Sequence, residues 1–163
     1  MSGALDRFER ITRSAPGAAP SAATGTAEID EPHPFEARNI HPDLPARVRK
    51  LFDDGHLEQA VFEAFKFIEK EVKRISNLTG KSGYGLMMDA FNETNPKVKL
   101  NALASESEVD EQKGYKFIFT GAAAGIRNPR GHEIEIGDSP DEALDYLGLA
   151  SLLLRRLDAA GVR

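Results

Sequence analysis

Arg127, Asn128, Arg130 and His132 stand together in one short segment, Arg127-Asn128-Pro129-Arg130-Gly131-His132. An arginine is a permanent cation whose planar fork of donors fits a phosphate. A histidine exchanges a proton near neutral pH. Asn128 adds a neutral hydrogen-bonding group beside them. Such a set can cleave a phosphodiester without a metal, one group moving the proton and another holding the charge. By spacing alone, basic residues that complement the dipole of a helix C-terminus account for the segment more readily.

The elements around the segment bear on that choice. It closes a long apolar stretch, Tyr115 to Ile126. Ser107 reads as the cap of a helix opening with Glu108, Asp110 and Glu111, acids that suit a helix N-terminus. Tyr115, Ile118, Phe119, Ala122, Ala123 and Ile126 form one face. Phe117, Gly121 and Ala124 make the opposite face apolar too, which predicts a central helix buried all round. Gly121 and Gly125 are expected to admit a neighbouring helix, since Gly121 otherwise costs about 1 kcal/mol against Ala. Pro129 lacks a donor and disfavours helical geometry at Asn128. The helix is therefore expected to end or kink near Arg127, letting His132 fold back toward it. Glu133 and Glu135 follow at once and would repel a phosphodiester substrate.

The rest of the chain reads as helices. Pro42 to Phe52 puts Leu44, Val48 and Leu51 on one face. His56 to Leu78 carries the stripe Val61, Ala64, Phe65, Ile68, Val72 and Ile75, with Gly80 as its stop. Its Lys66, Lys70, Lys73 and Arg74 read first as a solvated face, paired at i,i+4 with the interspersed Glu63, Glu69 and Glu71, with a basic stripe for nucleic acid as the alternative. A short helix is expected from Leu86 to Phe91. Ser139-Pro140-Asp141-Glu142 is a strong start signal for a last helix to about Asp158. Tyr115 and Tyr146 fall on core faces. Together these predict an all-α bundle of four to five helices over residues 35–160. Residues 1–34, rich in Ala, Gly, Pro, Ser and Thr, read as a flexible, disordered N-terminal segment.

Composition narrows the function. With 163 residues, 40% hydrophobic and 29% charged, the chain reads as one globular domain. It has no cysteine, which removes thiol chemistry and Cys-type zinc sites. His33, His41 and His56 lack ligand spacing, so neither a metal nor a cofactor is expected. A formal net charge of −5 argues against tight nonspecific nucleic-acid binding. No apolar run approaches a membrane span and no signal-peptide core is evident, so a cytoplasmic location is expected. Gly80-Lys81-Ser82 lacks the upstream glycine and strand of a phosphate loop. No helix-turn-helix with a basic recognition helix is apparent.

Several landmarks carry a family resemblance: His41-Pro42, Leu51-Phe52, Ala64-Phe65-Lys66, Leu100-Asn101-Ala102-Leu103, Glu111-Gln112-Lys113-Gly114-Tyr115, Arg127 to His132, Ala143-Leu144 and Arg155-Arg156-Leu157. Through them the chain, from about Phe35 to Asp158, resembles the Ymh-type family of prokaryotic and phage-related proteins. That family looks like part of the HEPN superfamily, whose helical domains often carry Arg, a polar residue, three to five further residues, then His. The resemblance implies a metal-independent endoribonuclease serving as a toxin or abortive-infection effector in phage defence. His132 would be the general acid/base, Arg127 would hold the scissile phosphate, and Asn128 would orient either group. Arg130 would be an added substrate contact, on position alone. RNA is the implied substrate and a homodimer the implied state, with an antitoxin or a phage-derived trigger as regulator. The competing expectation is a noncatalytic HEPN-like dimerisation or RNA-sensing module.

Overall fold

The computed structural model describes residues 31–132 and 137–163, and every regular element among them is helical. The N-terminal segment, up to residue 30, lies outside the described residues, as do Glu133 and Glu135. The helices are α1 (Pro34–Ala37), α2 (Ala46–Asp53), α3 (Leu57–Ser76), α4 (Gly83–Ala90), α5 (Glu106–Gly121), α6 (Asn128–His132) and α7 (Pro140–Ala159). A π-helical segment, Ala122–Arg127, joins α5 to α6 without a break. Five of these helices have eight residues or more. An all-α bundle of the expected size therefore stands.

The 20-residue helix α3 is the pillar of the fold. Its stripe Val61, Ala64, Phe65, Ile68 and Val72 is buried, at the spacing of one helical face. It packs against α2, α4, α7 and the π-helical segment. Asn77, at φ 56°, terminates it. The stop thus falls before Gly80, because asparagine tolerates the left-handed conformation that closes a helix. Helix α7 begins as its sequence predicts. The Ser139 hydroxyl accepts from the Glu142 backbone N–H, and the Glu142 carboxylate reaches back to the Ser139 N–H. Ala143, Leu147, Ala150, Leu153, Leu154 and Leu157 are fully buried along it.

Helix α5 departs from expectation. Its cap is Ser105, whose hydroxyl accepts from Glu108 N–H. It is also not buried all round. Phe117 is 53% exposed and Ile118 42%. The residues it buries are Gln112, Lys116, Phe119 and Thr120. Among the described residues no other group comes within 4 Å of a Cβ placed on Gly121 or Gly125, so none of the described helices makes the expected close approach.

Each buried polar group of α5 has work inside the protein. Lys116 Nζ donates to Glu93 Oε2 at 2.5 Å. Gln112 donates to the carbonyls of Phe91 and Val98 and accepts from Leu100 N–H at 2.9 Å. Its side chain thereby binds the segment after α4, which has little regular hydrogen bonding of its own. Phe91 and Phe119 stack beneath it, ring centroids 4.3 Å apart. Replacing Gln112 by Met keeps the volume but strands two carbonyls and one amide, at about 1–3 kcal/mol each. Gln112→Met is expected to lower unfolding free energy by about 3 kcal/mol or more in urea titrations, with the helical circular dichroism spectrum retained.

Candidate functional site

Pro129 sits inside a helix that does not stop. Asn128 has φ −65° and ψ −46°, ordinary right-handed helix. The expected break near Arg127 is therefore absent, and His132 does not fold back. The accommodation lies upstream. Through Ala122–Arg127 the turns widen, and Asn128 N–H bonds the carbonyl of Ala123, five residues earlier. A wider turn moves the carbonyls that the proline ring would otherwise strike, and π-helical turns recur at functional sites. Arg130 Nη1 then donates to the Ile126 carbonyl at 3.0 Å.

This path decides where the four candidate residues go. Arg127 turns toward α3. Its guanidinium lies over the Phe62 ring, 5.5 Å from the centroid. Its Nη1 donates to Asn128 Oδ1 at 3.0 Å. Its Nε lies 3.6 Å from Glu69 Oε2, an ion pair with no hydrogen bond on either of those buried atoms. Glu69 is 7% exposed and carries the compensating charge. Sequence reasoning took Glu69 for one of several surface acids. Its place on the inward edge of the α3 stripe, one residue from Ile68, was the available signal.

Asn128 is half-buried and reaches α4. A Cβ placed on Gly83 would come 3.9 Å from its Oδ1. Gly83 has φ +52°, which glycine adopts without strain. His132 is exposed, one helical turn after Asn128 and on the same face. The structure thus brings Arg127 and Asn128 into contact and sets His132 beyond them on α6. Gly131 fixes how closely α6 approaches α3, because a Cβ there would meet a Phe62 ring carbon at 3.0 Å.

Arg130 points the other way. Its Nε donates to Asp138 Oδ2 at 2.8 Å, and both side chains are about 5% exposed or less. The guanidinium lies 4.3 Å from the centroid of Tyr146. Burial alone would lower its pKa, but hydrogen bonds to Asp138 and Tyr146 outweigh that and raise it. The cation expected to touch substrate is engaged within the protein, tying α6 to α7. Tyr146 packs beneath it, and Tyr115 lies under Arg156 at 5.2 Å. Neither ring is placed against Arg127.

The other histidines hold local structure. His33 accepts from Phe35 N–H and meets Asp53 at 2.7 Å. His41 accepts from Asp43 N–H through Nδ1 and meets Asp158 through Nε2 at 2.8 Å. Among the described residues no three His, Cys, Asp or Glu side chains gather as a metal site.

Breaking one side of a buried ion pair leaves the other charge uncompensated, at about 3–5 kcal/mol. Asp138→Asn is therefore expected to destabilise the fold by about 3 kcal/mol, measured by chemical denaturation. An unchanged midpoint would show that Arg130 has another anchor.

Among the described residues no helix is long and apolar enough to cross a membrane. No curated protein and no solved structure matches the chain. Residues 38–157 match the Ymh family (Hypoth_ymh), described as a protein of unknown function. That span runs from the end of α1 almost through α7 and takes in the whole Arg127–His132 segment, and on it the chain belongs to the Ymh family.

Proposed function

We propose that this protein is a metal-independent endoribonuclease of HEPN type, acting in the cytoplasm in phage defence or a toxin system. The observation that carries the reading is the Arg127–Asn128 contact on a π-helical turn, with His132 one turn further on the same continuous helix. In this reading the substrate's 2′-hydroxyl attacks the adjacent phosphorus and the 5′-oxygen of the next nucleotide departs. The products are a 2′,3′-cyclic phosphate and a free 5′-hydroxyl. His132 exchanges the proton of the attacking or leaving oxygen. Arg127 stabilises the added charge on the phosphate, and Asn128 orients the guanidinium. Glu69 and Phe62 position Arg127, the carboxylate by charge and the ring by its π face.

A second copy of the chain completes this site. Arg127 faces α3 while His132 faces solvent, so one chain offers the cation and the imidazole in different directions. The exposed face that runs from α5 into the π-helical segment supports pairing. Phe117, Ile118 and Ala124 are exposed there, and Gly121 and Gly125 present no side chain. A helix that buries glutamine and lysine while exposing phenylalanine and isoleucine is suited to a further apolar surface. The same patch on two copies makes a two-fold interface. An antitoxin or a phage-derived trigger would act on this assembly.

Purified protein is expected to cleave RNA in EDTA, leaving 2′,3′-cyclic phosphate ends, and to leave DNA intact. His132→Ala and Arg127→Ala should each lower the rate at least 100-fold, the order contributed by one proton-transfer group or one charge-stabilising donor. Equal cleavage by all three proteins would sink the assignment. A stable fold with no turnover would favour the noncatalytic dimerisation or sensing role. In sedimentation experiments the wild type should be dimeric, and Gly121→Leu combined with Phe117→Ser should shift it to monomer and lower cleavage in parallel.

A further inference from the structure

The cationic side chains of α3 do not pair as their sequence suggests. Lys66 meets Glu63 at 3.4 Å and Arg74 meets Glu71 at 2.8 Å, both at i,i+3 spacing. Glu71 also lies 3.7 Å from Arg163. Glu69 is turned inward to Arg127. Glu63 and Glu71 are thereby held by Lys66 and Arg74, and Glu69 by Arg127, which leaves the two lysines between them without an acid of α3. Among the described residues, neither the Lys70 nor the Lys73 ammonium meets a carboxylate.

These lysines have a definite position relative to the candidate site. On a helix of 3.6 residues per turn, Phe62, Lys66 and Lys73 lie within about 60° of Glu69 on one flank, and Lys70 lies about 100° from it. That flank borders Arg127. Lys66 Nζ lies 5.5 Å from the Phe62 centroid, the same ring that carries the Arg127 guanidinium at 5.5 Å. Two cations thus share one aromatic ring, and two more follow along the helix. From Lys66 to Lys73 the helix rises about 10 Å. A stacked strand carries a phosphate about every 3.4 Å, so the row spans about three nucleotides. Flexible lysine stems suit phosphates, which demand charge without fixed geometry.

On the footing of the ribonuclease reading, we infer that Lys66, Lys70 and Lys73 form a backbone track for single-stranded RNA, leading to the phosphate held by Arg127. The track is electrostatic and indifferent to base sequence. It also answers how a chain of net charge −5 captures a polyanion. The lysine row, with Lys70 and Lys73 outside the ion pairs of α3, gives a local exception beside the site.

The test measures binding and cleavage separately. Binding uses an eight-nucleotide RNA whose 2′-oxygens are methylated, followed by fluorescence anisotropy between low and moderate salt. Cleavage uses an unmodified octanucleotide and a dinucleotide. Lys66→Gln/Lys70→Gln/Lys73→Gln should weaken octamer binding about tenfold at low salt and reduce the salt slope by about 2, since each phosphate contact on a single strand contributes about 0.7. The KM for the octanucleotide should rise with kcat unchanged, and dinucleotide cleavage should be unaffected. The triple Lys→Arg variant should restore binding. Lys50→Gln, on α2 and paired with Asp54 at 2.7 Å, should change nothing. Wild-type affinity and salt slope in the triple Gln variant would overturn the track while leaving the ribonuclease reading intact. An equal loss from Lys50→Gln would overturn it too, showing only a response to net charge. Lysine-dependent binding without cleavage in any protein would keep the track and remove the ribonuclease. Absence of binding by the wild type would overturn both.

Discussion

A helix that runs through a proline must make room for the ring that stands in place of a donor. Pro129 sets that constraint, and the candidate site follows from how it is met. The turns before it widen into a π-helix over Ala122–Arg127. The Arg130 side chain supplies a hydrogen bond to the Ile126 carbonyl. Because the helix continues, Gly131 comes down on Phe62 and Arg127 is turned onto the same ring. A helix ending at Arg127 would have none of these contacts.

The two arginines of the segment then divide their labour. Arg130 joins α6 to α7 through a buried carboxylate and a tyrosine ring. It holds the element rigidly, as the chemistry proposed for its neighbours would require. Arg127 has a looser ion pair, at 3.6 Å, in which its Nε and Glu69 Oε2 lack hydrogen bonds. An incompletely satisfied buried charge is costly. In the proposed ribonuclease an incoming phosphate would compete for this guanidinium more readily than for that of Arg130. Two arginines three positions apart acquire different surroundings from the faces they occupy.

Much of the fold was legible because its signals are local. The apolar stripe of α3 and the capping box of α7 each identify an element without knowledge of its partners. Other expectations failed, most of them for reasons outside any local window. Apolar residues around α5 suggested a buried helix, but Gln112 and Lys116 were taken inward by partners at Phe91, Glu93, Val98 and Leu100. Pro129 suggested a break, but the preceding turns could widen. The acids of α3 suggested i,i+4 pairs, but Glu69 found Arg127, 58 positions away in sequence. Asn77, not Gly80, closed α3. At the candidate site, residue types were readable as chemistry while the direction of each side chain was not. Direction depends on neighbours such as Phe62, Glu69 and Asp138.

The Gln112 side chain also changes what a loop means in this protein. Residues 91–100 have little secondary structure, and segments of that kind ordinarily open and close freely in the folded state. Here the amide of Leu100 is held by a fully buried side chain of α5. Its proton can exchange with solvent only when that side chain lets go, which requires α5 to loosen from the bundle. The loop therefore belongs to the cooperative unit of the helix. Its slow amide exchange would track the integrity of α5 and, through the continuous π-helical segment, of the helix that carries Arg127 and His132.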